Sequence, residues 1–172
     1  MCEHHETNDI SRRGVVSMAL GGAGLAFIPT RARATGSVEA LVVTCIDYRL
    51  VDDAVRFFDG LKLTNAYDQV SLAGASLAAV SGKFPSSNAA FWDHVAIAKQ
   101  LHHIKKVIVM DHRDCGAYKV AFGTAFASGR DAETGQHKQI MSQLQAMLAK
   151  RQPDLESEFY LMALDGKAQR II

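Results

Sequence analysis

From Val38 onward the chain alternates short apolar runs with stretches of helical periodicity, and this alternation limits the possible folds most strongly. Four runs have strand length: Glu39–Thr44, Gln69–Ala73, Lys106–Met110 and Glu158–Leu164. Three stretches have helical spacing of apolar residues: Leu50–Phe58, Asn88–His102 and Gln136–Arg151. Strands that alternate with helices form βαβ units. The sequence therefore predicts an α/β fold with a central, mostly parallel β-sheet flanked by helices.

Polar clusters follow directly on two of the predicted strands. The segment Cys45–Arg49 follows the strand that ends at Thr44, and Asp111–Gly116 follows the strand that ends at Met110. In parallel α/β sheets, ligands bind beyond the carboxyl ends of the strands. We therefore expect these two clusters, far apart in sequence, to meet at one edge of the sheet.

The residue types in the two clusters are those of a catalytic zinc site. His112 and Cys115 stand in an H-x-x-C spacing, and Cys45 completes a Cys2His ligand set. Structural zinc sites usually have four protein ligands, whereas three ligands leave a position for water or for Asp47. Zinc lowers the pKa of a bound water to about 7, which provides a hydroxide nucleophile at neutral pH.

Asp47 and Arg49 are the candidate catalytic residues beside this ligand set. Arg49 lies two residues after Asp47 and can form a bidentate pair with its carboxylate. This pairing would keep Asp47 ionised and oriented as a hydrogen-bond acceptor for the zinc-bound hydroxide. An unpaired Asp47 would instead compete for the metal.

The first 34 residues carry the pattern of an export signal. Arg12 and Arg13 precede the apolar, glycine-rich run Val15–Ile28, which is too short to span a bilayer. Ala32-Arg33-Ala34 then provides an A-x-A cleavage site. The sequence thus predicts a twin-arginine signal peptide at 1–34, a zinc domain at 35–172 and a periplasmic or otherwise exported location. The alternative is an amphipathic N-terminal helix.

The charge balance argues against some classes of partner. Nineteen basic residues against eighteen acidic ones leave a net charge of +1, which gives no reason to expect nucleic acid as a partner. We also expect no stable membrane association once the signal is removed.

Simpler interpretations exist for the same residues. Cys45 and Cys115 are the two cysteines that follow the predicted signal, and in an oxidising compartment they could form a disulfide. Asp47 and Arg49 could form a purely structural ion pair. Three further polar residues are interpreted as surface or packing residues: His94, Asp114 and His137.

The two clusters together resemble those of the β-class carbonic anhydrases. The matching elements are C-x-D-x-R at Cys45–Arg49, a glycine-bearing strand end at Leu72–Ser76 and H-x-x-C-G-A at His112–Ala117. The resemblance implies one zinc ion per chain held by the two cysteines and the histidine, and an Asp47–Arg49 dyad. It also implies reversible hydration of carbon dioxide to bicarbonate, and a homodimer or larger homo-oligomer with the active site near the subunit boundary.

Two positions depart from the pattern of that family. Tyr48 stands where the family has serine, and Leu72–Ser76 replaces an arginine-asparagine-alanine-glycine strand end. These changes leave the predicted ligands and dyad intact but are expected to alter the pocket wall. Two alternatives therefore stay open: a hydrolase of carbonyl sulfide or carbon disulfide on the same scaffold, and a non-catalytic zinc-binding relative.

Overall fold

A computed structural model describes residues 36–172. The strands are β1 (Ala40–Thr44), β2 (Tyr67–Ser71), β3 (Lys106–His112), β4 (Glu156–Met162) and β5 (Ala168–Arg170). The helices are α1 (Val51–Gly60), α2 (Ser76–Val80), α3 (Pro85–His102), α4 (Gly116–Phe122) and α5 (Arg130–Arg151), with 3-10 turns at Tyr48–Leu50 and Thr124–Ala127. The predicted signal peptide at 1–34 lies outside the described residues and stays a prediction.

The strands form one five-stranded sheet in the order β2-β1-β3-β4-β5. The first four strands are parallel, and β5 returns antiparallel to β4. The predicted α/β fold with a mostly parallel sheet is confirmed. Thr44 pairs with Ser71 on one side and with Met110 on the other, so β1, β2 and β3 end at a common edge. The segments that carry the polar clusters leave the sheet at that edge.

Helices cover both faces of the sheet, which explains why β1 and the Val107–Met110 part of β3 are buried and almost entirely apolar. On one face, Ala54 and Phe58 of α1 pack against side chains of β1, β3 and β4. On the other face, α2, α3 and α5 contribute buried residues to the larger core: Ala79, Phe91, Val95, Ala98, Met141, Leu144 and Leu148. Within residues 36–172, no helix has the length and hydrophobicity needed to cross a bilayer.

Some predicted strand boundaries are wrong, and strand pairing explains why. β3 continues past Met110 to His112, because β4 remains paired with it as far as Met162. β2 begins at Tyr67 rather than Gln69, because its register with β1 places Tyr67 opposite Ala40. These pairings depend on neighbouring strands, so the local apolar pattern does not reveal them.

Two of the three predicted helices, those of residues 88–102 and 136–151, begin earlier in the structure than predicted. α3 starts at Pro85 instead of Asn88, and proline is favoured in the first helical turn. α5 starts at Arg130 instead of Gln136. The helices α2 and α4 were not predicted, because five and seven residues are too few to establish a helical period.

Candidate metal centre

The three predicted metal ligands converge at the common edge of β1 and β3. Cys45 follows β1 directly, His112 is the last residue of β3, and Cys115 precedes the first turn of α4. One ligand atom from each residue lies within 4.8 Å of the other two, so this group could hold a metal ion. The meeting of two distant segments follows the prediction from parallel strand ends.

The distance between the two sulfurs distinguishes a shared metal from a disulfide. The Sγ atoms of Cys45 and Cys115 are 3.9 Å apart, and both cysteines are free. A disulfide bond is about 2.05 Å long. Two sulfurs that bind one tetrahedral zinc at about 2.3 Å each are separated by roughly 3.8 Å. The observed spacing therefore suits two ligands of one ion and does not fit the disulfide alternative.

His112 presents a free nitrogen to this group. Its Nδ1 lies 2.8 Å from the carbonyl oxygen of Arg113, and an Nδ1–H donated there leaves Nε2 with a lone pair. Nε2 is buried and has no hydrogen-bond partner among the described residues. A buried polar atom without a partner costs free energy, which a bound cation would recover. The ligand set therefore fits a metal ion.

Cys45 is already prepared as a thiolate before any metal binds. Contact with the Cys115 thiol is the largest cause that lowers the pKa of Cys45 to about 4, and the nearby His112 ring and the backbone N–H of Gly74 lower it further against the opposing effect of burial. The same contact with Cys45, together with burial, raises the pKa of Cys115. The Gly74 N–H lies 3.3 Å from Cys45 Sγ. Thiolates are the form in which cysteine binds metals.

Asp47 and Arg49 form the predicted bidentate pair. Asp47 Oδ1 accepts hydrogen bonds from Arg49 Nε at 2.9 Å and from its backbone N–H at 3.0 Å, and Oδ2 accepts from Nη2 at 2.8 Å. These contacts lower the pKa of Asp47 to about 2. Asp47 Oδ2 is also 3.7 Å from His112 Nε2. An ionised acceptor thus stands beside the ligand set.

Asp114 lies at the surface, as expected, but its carboxylate is also held by two basic side chains. Its Oδ2 accepts a hydrogen bond from Arg49 Nη1 at 3.1 Å, and Oδ1 pairs with Lys119. Arg49 therefore connects the segment after β1 with the segment after β3. Asp114 lies 65 positions from Arg49, so no local sequence signal marks the pair.

Glu133 of α5 supports the segment between the second and third ligands. Its Oε1 accepts the backbone N–H of Asp114 at 2.6 Å, and its Oε2 accepts from Arg113 Nη1 at 2.8 Å. Asp114 has a φ of +58°, a left-handed conformation that aspartate tolerates better than most residues. Sequence analysis missed Glu133 because its carboxylate meets this segment only when α5 packs against the sheet.

A cavity of about 220 Å³ opens beside the ligands on the α1 side of the sheet. Its wall includes Cys45, Asp47 and His112 together with mainly apolar side chains: Ile46, Leu50, Val51, Ala54, Met110 and Met162. Thr44, Gln69 and Ser71 add polar groups. Tyr48 does not line the cavity and is 85% exposed, so the expectation that it alters the pocket wall is wrong. Its side chain points into solvent from the 3-10 turn.

Gly74 is expected to tolerate no side chain. Its φ is +83°, and a Cβ built there would lie 3.0 Å from Ala117 Cβ and 3.2 Å from Leu77 Cβ. We expect Gly74→Ala to lower the free energy of unfolding by about 1–3 kcal/mol, measured by urea denaturation. Gly82→Ala is the control, because a Cβ at Gly82 meets no atom within 4 Å. Equal stability of the two variants would contradict this prediction.

The Asp47–Arg49 pair predicts an acid-dependent loss of stability in the metal-free protein. The pKa of Asp47 falls from an ordinary 3.8 to about 2 in the folded chain. The folded state therefore binds this proton less readily than the unfolded state, and the pair stabilises the fold only at higher pH. We expect the difference in unfolding free energy between wild type and Asp47→Asn to shrink as the pH falls from about 4 to about 2. A constant difference in urea denaturation would refute this assignment.

Comparison with known proteins finds relatives of this chain. Residues 36–153 match the protein family described as "Putative carbonic anhydrase". An uncharacterized protein of Rickettsia conorii is 34% identical over 133 residues, which cover 77% of this chain and 72% of the relative. An uncharacterized protein of Rickettsia bellii is 35% identical over 133 residues, which cover 77% of this chain and 81% of the relative.

Two sets of solved structures are similar at low sequence identity. The β-carbonic anhydrase CafA of Aspergillus fumigatus is 15% identical, with a TM-score of 0.49 and coverage of 78% of this chain and 76% of that one. Tetrameric β-carbonic anhydrases of Sordaria macrospora give 14% identity, a TM-score of 0.45 and coverage of 79% and 81%.

Proposed function

The chain belongs to the family described as "Putative carbonic anhydrase", and we propose that it catalyses the zinc-dependent, reversible hydration of carbon dioxide to bicarbonate. One observation carries this proposal. The unpartnered Nε2 of His112 and the sulfurs of Cys45 and Cys115 converge within 4.8 Å, and the ionised Asp47 stands beside them. Three ligands with an adjacent, charge-paired carboxylate are the composition of a catalytic rather than a structural site.

Cys45, His112 and Cys115 would hold the zinc ion. When bound, zinc would act as a Lewis acid that lowers the pKa of water to near neutral pH. Asp47 Oδ2, 3.7 Å from His112 Nε2, is placed to accept a hydrogen bond from a water molecule at the metal and would orient it. Arg49 keeps this carboxylate ionised and fixed, because three of its N–H groups are donated to the two carboxylate oxygens. The released proton passes to buffer.

The cavity is compatible with an uncharged substrate. Apolar side chains of Leu50, Met110 and Met162 form part of the wall next to the ligand set. Such a surface offers no strong hydrogen-bond partner to water, so a small apolar molecule displaces water there at little cost. Carbonyl sulfide and carbon disulfide share this property with carbon dioxide and therefore belong in the same test.

The test uses the full chain purified under reducing conditions. We expect about one zinc per chain, and carbon dioxide hydration in a stopped-flow indicator assay that disappears on chelation and returns with zinc. Carbonyl sulfide and carbon disulfide hydrolysis are measured in parallel on the same sample. Hydrolysis of either without hydration would assign the alternative substrate. A zinc-loaded protein that turns over none of the three would favour the non-catalytic relative and overturn the proposal.

We further propose that the protein is exported through the twin-arginine signal at 1–34 and assembles as a homo-oligomer. Exposed apolar side chains beside the cavity mouth support a subunit contact there: Ile46, Val51 and Val55. N-terminal sequencing of exported protein is expected to begin near Thr35, and a start before Ser11 would refute cleavage. Light scattering that gives a monomer mass would refute the oligomer.

A further inference from the structure

A buried carboxylate joins the end of β3 to three helices. Asp111 immediately precedes the ligand His112 and is 1% exposed. Its Oδ1 accepts the backbone N–H of Ser76 in α2 at 2.9 Å. Its Oδ2 lies 2.6 Å from Ser76 Oγ, 2.7 Å from the hydroxyl of Tyr118 in α4 and 2.8 Å from Nδ1 of His137 in α5. Groups from three helices therefore converge on one buried carboxyl group.

His137 of α5 is the third side chain that contacts the carboxyl group of Asp111. It is fully buried, and its ring lies 4.0 Å from the ring of Tyr118. When Nδ1–H is donated to Asp111, Nε2 keeps a lone pair. Nε2 has no hydrogen-bond partner among the described residues. The burial of His137 agrees with its interpretation as a packing residue, and its ring nitrogen also bonds to Asp111.

The segment held by Asp111 is a strained turn that reaches the metal ligands. Gly74 has a φ of +83° and Ala75 a φ of +41°. A non-glycine residue in that region is strained and persists only when its surroundings enforce it. Ser76, the next residue, is held through both its backbone N–H and its hydroxyl. At the start of the turn, the Gly74 N–H points at Cys45 Sγ.

We propose that Asp111 is a positioning residue for the metal centre: held by Tyr118 and His137, it fixes the Gly74–Ser76 turn so that the Gly74 N–H donates to the sulfur of Cys45. Groups that hydrogen-bond to metal ligands tune affinity and electronic structure. This inference rests on the metal site of the proposed function but not on the reaction.

The decisive variant is Asp111→Asn, which keeps the shape of the side chain but replaces one acceptor oxygen with an NH2 donor. In the metal-free protein we expect the Gly74 and Ser76 amides to exchange with solvent at least about tenfold faster by NMR. In the cobalt-loaded protein we expect the thiolate-to-cobalt charge-transfer band to move to lower energy, because the sulfur loses an N–H donor. We also expect cobalt affinity to fall by about 10–100-fold.

A second pair of variants keeps the proposal testable if Asp111→Asn does not fold. Tyr118→Phe removes one hydroxyl donor to Asp111, and we expect smaller shifts in the same direction. Tyr160→Phe is the matched control, since its hydroxyl donates to Glu158 at 2.7 Å on the α1 side of the sheet. Equal amide exchange and equal cobalt spectra in these two variants would overturn the proposal, as would a folded Asp111→Asn that loses only stability. Neither readout measures turnover, so failure of the proposed reaction leaves this test intact.

Discussion

Cys45→Ser is expected to remove the metal site while the fold remains. The sulfur of Cys45 is one of three converging ligand atoms, and a neutral serine hydroxyl cannot replace a thiolate whose pKa is about 4. Loss of a group that merely supports a ligand costs about 10–100-fold in metal affinity, so we expect loss of the ligand itself to exceed ~100-fold. Zinc per chain and chelator competition measure the affinity, and circular dichroism reports the fold. Carbon dioxide hydration should fall to the background rate.

Cys2→Ser provides the matched control. Cys2 belongs to the predicted signal and lies outside the described residues, so its replacement in the full chain should leave zinc binding unchanged. Wild-type zinc affinity in Cys45→Ser would contradict the ligand assignment. If Cys45 and Cys115 formed a disulfide instead, the wild type purified without reductant would show no reactive thiol from either residue. The 3.9 Å separation of their sulfurs predicts that both thiols are free in the zinc-free protein and are counted when the protein is unfolded in denaturant.

Asp47→Asn is expected to separate catalysis from metal binding. The asparagine places an NH2 group where Arg49 donates to an oxygen, so one side of the bidentate pair becomes a repulsive contact between donors. The variant also loses the negative charge that accepts a hydrogen bond from the attacking oxygen. We expect kcat/KM for carbon dioxide hydration to drop by about 10²-fold, with zinc content unchanged.

Asp53→Asn is the matched control for this variant. Asp53 of α1 forms an ion pair with Arg56 at 2.7 Å, away from the candidate ligands. The Asp53→Asn variant therefore also loses an Asp–Arg ion pair, but not at the site. We expect Asp53→Asn to keep wild-type activity. Full activity in Asp47→Asn would show that the Asp47–Arg49 pair has only a structural role. Loss of zinc together with activity would instead identify Asp47 as a metal ligand.

Local pattern and one topological rule account for what was predictable from the sequence. Apolar runs in β1 and β3 mark strands covered on both faces, and the carboxyl ends of parallel strands meet at one edge. Those two facts were sufficient to bring Cys45, His112 and Cys115 together. The Asp47–Arg49 pair was also predictable, because its partners are two residues apart and meet through local backbone geometry.

The tertiary structure alone decided which groups support those residues. Asp114 reaches Arg49 across 65 positions, and Asp111 takes hydrogen bonds from α2, α4 and α5. Such contacts depend on how helices pack over a sheet, and neither periodicity nor spacing encodes that packing in a single sequence. The sequence thus determined the candidate ligand set and the sheet that presents it. Packing determined how the ligands are held, because a buried charge is stable only where several elements bring donors to it.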